Sequence, residues 1–534
     1  MIQCATVFRS ERSKIAVLLL LQLLWGLVLW FSISKYGVGV STDSIHMLFG
    51  GMNWWAGNGL TSYDGSFLIL WPPLYSIMLG LVHGISGLSM IASATVLQAM
   101  AYAGVSICLA VFCVRAFPRR HALAGAACLL SDIGVVVLTT FDTAGSDYLQ
   151  LLLILLFVLL IGKFAAAGSP SSYIGMAAVA MLAMLNRYLG LAVLATGVLC
   201  LLVLARGSLL KRLANSAVLA TTTLPMAVWF GVTSSLYTRR PPISFWENFD
   251  RFSESILGWF LGPARTQHGS NWGIPLLWIA VLGLVTGLIM LRVRRSRDNA
   301  LPLNEPSGGH ERDAYLLPLL MFGAIYATVL FGAASMAYSN KLAGRFLLPV
   351  YIPLLMLPVA VVDEVLRLVE ERNSAEMRSG VRVVCYVALV GIASMLLSTT
   401  MPVVFESHTE GAVGGENAYN NSAWHDNQAM QYWMAHTPPG EYRLISNQPD
   451  GVAFLTEHRT EASPRRTSGP YGTEVYPLSG YTADLFGRPE PVYLVWIDAK
   501  ACTYCYSVDE LRSIANVHPL MEAADGGVYR LVPR

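Results

Sequence analysis

Charged residues are scarce in this sequence. Asp, Glu, Lys and Arg together make up 13% of its 534 residues, whereas about a quarter of a soluble domain is charged. A chain with so little charge cannot keep most of its surface in water, which excludes an ordinary soluble globular protein. The net charge is only +2, too small to indicate a nucleic acid as partner.

Several catalytic motifs are missing as well. The sequence has no Walker loop, no Gly-x-Ser-x-Gly elbow and no His-Glu-x-x-His helix. Its histidines do not cluster at metal-ligand spacing, and we find no internal repeat and no low-complexity tract. Nothing in the sequence therefore indicates a nucleotide hydrolase, an α/β-hydrolase, a zinc protease or a solenoid.

Apolar runs of roughly twenty residues are abundant, and that length crosses a bilayer core of about 30 Å as a helix. We predict a helical polytopic membrane protein with about eleven spans. Arg9, Arg12 and Lys14 precede the first span and place the N-terminus in the cytoplasm. The first run is too long for a signal peptide and is predicted to remain uncleaved. The predicted spans are 15–34, 90–114, 122–141, 148–161, 173–185, 189–205, 213–235, 274–291, 315–336, 346–362 and 383–401.

One apolar stretch is predicted to lie on the outer surface instead of crossing. Arg115, Arg119 and Arg120 form the next basic cluster after the first span. Basic clusters favour the cytoplasm. Two apolar stretches lie between the outer end of the first span and this cluster, and the cluster is cytoplasmic only if just one of them crosses the membrane. Leu70–Ile85 is therefore predicted to be an interfacial helix, within a long first outer loop over residues 35–89.

The tail is polar, charged and rich in Pro and Gly. Its patterns predict strands at Tyr442–Ser446, Val492–Ile497 and Val528–Val532 and helices at Ser422–His436 and Val508–Ala515. We predict a transmembrane catalytic domain over 1–402 and a small extracytoplasmic α/β domain over 403–534. Cys502 and Cys505 stand in this tail. They give a weak zinc signal, and a local disulfide is favoured if the tail is outside the cell.

Asp43 follows the first span and is our leading catalytic candidate. Taken alone, it reads as a helix N-cap, and His46 could share its helical face. The same loop is rich in aromatic residues, including Trp71 and Tyr75. Such residues form either an interfacial belt or a surface on which sugar rings stack.

Two further groups carry charge near predicted outer ends of spans. Asp142 and Asp147 share a short turn and are solvated turn residues by default, although they matter more if they face Asp43 across a cavity. Cations are disfavoured at outer ends, yet three occur there: Arg187, Lys341 and Arg345. They either bind an anion such as a lipid phosphate or reach toward lipid headgroups.

Five degenerate motifs occur in an order that we associate with one family. They are Asp43 after the first span, Trp71-Pro72-Pro73-Leu74-Tyr75, Ser146-Asp147-Tyr148-Leu149, Asn186-Arg187-Tyr188-Leu189-Gly190 and Gly344-Arg345-Phe346-Leu347-Leu348-Pro349. On these motifs the chain resembles the GT-C superfamily of integral membrane glycosyltransferases. The resemblance is to the bacterial branch related to protein O-mannosyltransferases and the lipid A aminoarabinose transferase, and it does not extend to the tail.

The resemblance implies an inverting enzyme of the cytoplasmic membrane that moves a sugar from a polyprenyl-phosphate donor to an outer-face glycan, lipid or protein. It implies that Asp43 is the general base and that Asp147 is the second carboxylate. Some relatives carry Glu-Lys where this chain has Leu70-Trp71, which shifts phosphate binding toward Arg187 and Arg345. Some members hold a divalent metal between the two carboxylates, so Mg²⁺ or Mn²⁺ is one option.

This reading fits elementary chemistry, because phosphate is a good leaving group. The reaction then needs a base for the acceptor hydroxyl and cations for the developing phosphate charge. We assign substrate binding to Arg187, Arg345, Lys341, Trp71, Tyr75 and His46. Two alternatives remain. A transporter or flippase of a lipid-linked substrate predicts inverted repeats and broken midplane helices, and a non-catalytic relative would keep the scaffold to bind lipid.

Overall fold

The structure is a computed structural model, and it describes residues 11–68, 70–205, 207–233, 244–261, 308–336, 344–372, 375–412, 419–467, 474–497 and 502–534. The chain divides into two compact units. The membrane unit comprises Met1–Ser32, Ile69–Tyr75 and Thr95–Glu406, and the loop–tail unit comprises Ile33–Leu68, Ser76–Ala94 and Ser407–Arg534. The domain boundary predicted at residue 402 stays a prediction.

Helices make up the membrane unit because a helix satisfies its backbone groups internally, as a bilayer requires. The helices that lie wholly or mainly in this unit are Glu11–Ile33, Met90–Ala116, His121–Asp132, Val135–Phe141, Asp147–Ala167, Pro170–Asn186, Leu191–Leu204, Leu209–Ala220, Leu224–Thr233, Phe245–Leu261, Gly308–Met336, Leu348–Arg372 and Ala375–Glu410. Short 3-10 turns occur at Tyr188–Gly190, Thr221–Thr223 and Gly344–Leu347.

The described helices match the predicted spans. Seven are long and apolar enough to cross a membrane, and a bent pair would make an eighth. Pro170–Asn186 and Tyr188–Leu204 are shorter apolar segments at two further predicted spans. Every predicted span thus coincides with a helix, except 274–291, which lies outside the described residues. The prediction of a polytopic helical membrane protein is confirmed.

The bent pair joins His121–Asp132 to Val135–Phe141 at an angle of 56°. A break within a span frees backbone carbonyls that other groups must bind. Tyr351 meets this need, because its hydroxyl donates to the carbonyls of Leu130, at 3.1 Å, and Ile133. Gly134 is required beside it, since a Cβ there would lie 2.4 Å from the Tyr351 hydroxyl oxygen.

In the loop–tail unit, the helix Thr42–Trp55 packs closely on most of the helix Leu74–Ser86. A Cβ on Gly80 would lie 2.4 Å from the carbonyl oxygen of Gly51, and one on Gly84 would clash with Trp55. The helix Leu74–Ser86 has 13 residues, whereas a spanning helix needs about 20. Its length agrees with the predicted interfacial helix, whose side of the membrane stays a prediction.

The described strands of the tail are β1 (Arg443–Ser446), β2 (Thr460–Ala462), β3 (Val492–Ile497), β4 (Ala515–Ala523) and β5 (Gly526–Pro533). They form one sheet of order β2-β1-β3-β5-β4. β1 pairs in parallel with β2 and β3, whereas β5 pairs antiparallel with β3 and β4. The helices around it are Ser422–His425, Gln428–Ala435, Pro449–Thr456, Tyr481–Phe486 and Val508–Leu511, with a 3-10 turn at Leu478–Gly480. The small α/β fold predicted for the tail is confirmed.

Two predicted tail helices are wrong in extent. The helix predicted over Ser422–His436 is two helices, because Asn427 begins a second one by accepting a hydrogen bond from Met430 N–H. The helix predicted to reach Ala515 ends at Leu511, and Ala515 opens β4. β4 escaped prediction because it is an edge strand with mostly exposed side chains and contains Pro519, which edge strands tolerate. Cys502 and Cys505 form a disulfide.

Candidate active site

Asp147 is the buried centre of a cluster in the membrane unit. It is the first residue of the helix Asp147–Ala167, where the helix dipole favours a negative charge. Its side chain is only 7% exposed, and Asp142 in the same turn is fully buried. The default expectation of solvated turn residues is therefore wrong for both acids. Tertiary packing covers a turn that is polar in sequence.

Two arginines converge on Asp147. Arg187 forms an ion pair with the Asp147 Oδ1 atom, and the Arg345 Nε atom lies 4.0 Å from the Asp147 Oδ2 atom. The two guanidiniums lie 5.3 and 5.7 Å from the ring centre of Phe346. Their side chains are 17% and 21% exposed, so they point at a buried acid and still remain reachable. We name Asp147, Arg187 and Arg345 the open cluster.

Residues to which the sequence analysis gave no role hold the open cluster in place. Asn186 is buried and donates to the Ser146 carbonyl at 2.9 Å and to the Gln150 Oε1 atom at 3.0 Å, which secures the turn before Asp147. The Tyr326 hydroxyl donates to the Phe346 carbonyl at 3.0 Å and secures the turn that carries Arg345. Asn186 opens one of the five sequence motifs, but only the fold reveals that its amide is buried and holds the turn before Asp147.

The other predicted residues of the first loop and membrane unit have mixed outcomes. Tyr75 is fully buried, and burial, followed by the charge of Asp147, raises its pKa. That places the Tyr75 phenol within electrostatic range of the open cluster. Trp71 is half-buried. Lys341 lies outside the described residues.

Asp43 belongs to the loop–tail unit. The helix Thr42–Trp55 is capped by Ser41, whose side chain exchanges hydrogen bonds with Ser44 in a capping box. The N-cap reading of Asp43 is therefore wrong, because Ser41 fills that role and Asp43 stands in the first turn, half-buried. Its predicted pairing with Asp147 of the other unit stays a prediction.

Asn420 and Tyr419 position the segment that leads to Asp43. The Asn420 side chain donates to the Tyr36 and Val38 carbonyls, at 2.8 Å each, and accepts from Val40 N–H at 2.9 Å. The Tyr419 hydroxyl lies 3.1 Å from the Thr42 hydroxyl. Because Thr42 precedes Asp43, these tail residues determine where the candidate base stands. No local pattern in the sequence could have indicated a link to a position so far along the chain.

His46 faces a tail carboxylate. Its Nδ1 atom lies 2.5 Å from the Ser62 hydroxyl and its Nε2 atom 3.9 Å from the Asp450 Oδ1 atom. Tyr63 donates its hydroxyl to the same oxygen at 2.5 Å. Among the described residues, no group of three or more His, Cys, Asp or Glu side chains could hold a metal ion.

Known proteins resemble this chain in part of its sequence and in its whole fold. The family model described as dolichyl-phosphate-mannose-protein mannosyltransferase matches residues 71–230, which include Asp147 and Arg187. No curated protein sequence gives a significant match.

The structural matches extend over almost the entire chain. ArnT from Cupriavidus metallidurans in the apo state matches with a TM-score of 0.57 and 14% identity, over 96% of this chain and 97% of that one. ArnT bound to undecaprenyl phosphate gives 0.55 and 14%, over the same shares of both chains. The arabinofuranosyltransferase AftD from mycobacteria gives 0.50 and 13%, over 98% of this chain and 40% of that one. The chain is thus similar to a mannosyltransferase family over residues 71–230 and shares the fold of ArnT, and both findings support the resemblance to the GT-C superfamily of integral membrane glycosyltransferases.

Proposed function

We propose that this chain transfers a sugar, with inversion, from a polyprenyl-phosphate donor to an acceptor at the outer face of the cytoplasmic membrane. The open cluster carries the proposal, because two reachable guanidiniums converge at one point of the membrane unit. Each guanidinium has five N–H donors, so contact with Asp147 leaves donors for phosphate oxygens. A protein of the same fold, ArnT, is known with undecaprenyl phosphate bound, which supports this donor class.

The proposed step needs a base for the acceptor and cations for the phosphate. The acceptor hydroxyl oxygen attacks the anomeric carbon of the sugar while Asp43 takes its proton. The bond between that carbon and the phosphate oxygen breaks on the opposite face, and polyprenyl phosphate leaves with the electron pair. Arg187 and Arg345 stabilise the charge that develops on the phosphate. Asp147 orients both guanidiniums. We further propose that the N-terminus is cytoplasmic and that the tail is outside.

A divalent cation does not fit Asp147 as the structure arranges it. One carboxylate oxygen pairs with Arg187 and the other faces Arg345. A Mg²⁺ or Mn²⁺ ion there would displace a guanidinium and stand beside another positive charge. No step of the proposed reaction therefore uses such an ion, and assays with and without EDTA can check this.

The test is a donor panel. Purified protein in nanodiscs is mixed with labelled polyprenyl-phosphate sugars, and the release of polyprenyl phosphate is followed. We expect one donor to turn over and Asp43→Asn to lower its turnover at least about 100-fold, as loss of a general base does. Asp426→Asn, at an exposed carboxylate of the tail, is the matched control. Full turnover in Asp43→Asn would contradict the role given to Asp43.

A further inference from the structure

The loop–tail unit contains a cavity of about 450 Å³. Pockets for small molecules start at about 300 Å³, so a sugar unit has room. Ionisable and aromatic residues from both parts of the unit line it: His46, Tyr63, Asp64, Asp450, Glu461 and Arg465. The tail residues among them, Asp450, Glu461 and Arg465, have no part in the proposed transfer step.

Asp450 forms the polar centre of this cavity. It stands in the first turn of the helix Pro449–Thr456, which follows β1, and its side chain is 18% exposed. Tyr63 donates to one of its oxygens, and a carboxylate has about four acceptor positions. Burial, and then the charge of Asp450, raises the pKa of Tyr63. The phenol therefore stays protonated and bound to Asp450, while the remaining acceptor positions are left for a ligand.

Arg465 supplies donors on another side. Its guanidinium forms no ion pair with any residue that the structure describes, and its Nε atom is buried without a hydrogen-bond partner there. The ring of Tyr504 supports it at 5.5 Å. A buried donor without a partner destabilises the fold. Arg465 lines the cavity, and the other N–H groups of its guanidinium can donate to a ligand oxygen there.

We propose that this cavity binds a neutral sugar unit of the acceptor, an inference that rests on the proposed transferase function. A sugar hydroxyl donates and accepts at once, so it can donate to Asp450 or Asp64 and accept from Arg465. An anion would meet Asp64, Asp450 and Glu461, whereas a cation would meet Arg465. Tyr63 and His46, with ring centres 5.4 Å apart, offer aromatic surface to a pyranose. The acceptor is thus a glycan or carries one.

The test first measures binding without transfer. Saturation-transfer NMR on full-length protein in nanodiscs would use maltose, cellobiose and methyl α-mannobioside, with galacturonate and glucosamine as charged comparators. We expect at least one neutral disaccharide to bind, and Asp450→Asn and Arg465→Gln to weaken its affinity at least about 10-fold. Asp450→Glu should retain part of the affinity. Binding of the charged sugars alone, or no binding at all, would overturn the proposal.

Two matched controls separate binding from folding. Asp509 occupies the same position of its helix as Asp450 does, and its side chain is 92% exposed. Tyr476 donates to Glu474 at 3.1 Å, as Tyr63 does to Asp450, but the hydrogen bond of Tyr476 is exposed to solvent. Asp509→Asn should leave disaccharide affinity unchanged, and Tyr476→Phe should do so while Tyr63→Phe lowers it. If the disaccharide affinity fell equally in a cavity variant and its control, the loss would not arise in the cavity, and the proposal would be contradicted.

Kinetics then distinguish this inference from the proposed function. In the donor assay, Asp450→Asn should raise the KM for a bound saccharide about 10-fold and leave the KM for the donor unchanged. If the wild type turns over no donor, the proposed function fails. The sugar site is then still tested by the NMR measurement of disaccharide binding. If a donor turns over while Asp450→Asn changes neither acceptor KM nor binding, the sugar site fails alone.

Discussion

In the described part of the membrane unit, two clusters of arginine and carboxylate side chains differ in their access to solvent. In the first, which we name the sealed cluster, the Arg312 Nε atom lies 3.3 Å from the Asp363 Oδ2 atom and the Arg312 Nη1 atom lies 2.8 Å from the Glu364 Oε2 atom. These three side chains are only 1–3% exposed. Arg120 and Arg367 also bind Asp363, at 3.0 and 3.1 Å.

The open cluster uses the same chemical groups at different places in the helices. Arg312, Asp363 and Glu364 lie within long helices, whereas Asp147 starts a helix and Arg187 follows the end of one. Helix ends are where backbone donors and acceptors lack helical partners. They are also where side chains can face both protein and ligand.

This difference separates structural charge from functional charge. A charge sealed from water and ligand must be compensated by the protein itself, because its desolvation costs several kcal/mol. A charge with 17% or 21% exposure can exchange contacts with a ligand. The exposure of its charged side chains, in addition to their residue types, therefore distinguishes a candidate binding site from a cluster that only stabilises packing. Three experiments test this contrast.

The largest expected effect is on stability, in the sealed cluster. Arg312→Met leaves Asp363 and Glu364 buried without that partner and should lower the free energy of unfolding by about 3–5 kcal/mol. Thermal and denaturant unfolding in detergent would measure it. The double variant Arg312→Met/Glu364→Met should recover part of the loss, and Arg382→Met, at a side chain 52% exposed, should cost less than about 1 kcal/mol. If Arg312→Met were as stable as the wild type, the sealed cluster would not have the structural role that distinguishes it from the open cluster.

A slightly smaller effect is expected on catalysis, in the open cluster. Arg345→Gln and Arg187→Gln should each lower kcat/KM for the donor about 10²–10³-fold, or about 2.7–4 kcal/mol, as loss of a transition-state donor does. Arg345→Lys should retain only part of the activity, because an ammonium lacks the planar fork. Single-turnover release of polyprenyl phosphate would measure it, with Arg382→Gln as control. A ligand-binding role would be contradicted if these variants lost as much stability as Arg312→Met while their folded fraction kept the wild-type kcat/KM.

The smallest expected effect is stabilisation by ligand. Farnesyl phosphate at 100 times its Kd should stabilise the wild type by about 2.7 kcal/mol against unfolding. Arg345→Gln should abolish this gain, and Arg382→Met should keep it. Farnesol, which lacks the phosphate, should stabilise neither protein. If farnesyl phosphate stabilised the wild type and Arg345→Gln equally, the phosphate would not bind at the open cluster.

Prediction from the sequence succeeded where local composition decides the outcome. The described spans were predicted because about twenty apolar residues in a row have few stable alternatives to a helix in lipid. Arg187 and Arg345 were singled out because cations are unusual at predicted outer ends. Prediction failed where distant residues decide. Asp147 is buried by packing that no turn sequence encodes, and β4 is a strand because β5 pairs with it.

The sequence by itself determined the membrane class, the described spans, the tail fold and five motifs that carry the family resemblance. Hydrophobicity and charge act over one helix length, so they can be read along the chain. Only the tertiary structure decided that Arg187 and Arg345 meet at Asp147, that Asn420 holds the segment before Asp43, and that Tyr63 binds Asp450. These contacts join residues 40 to 387 positions apart, and only the folded chain brings such residues into contact.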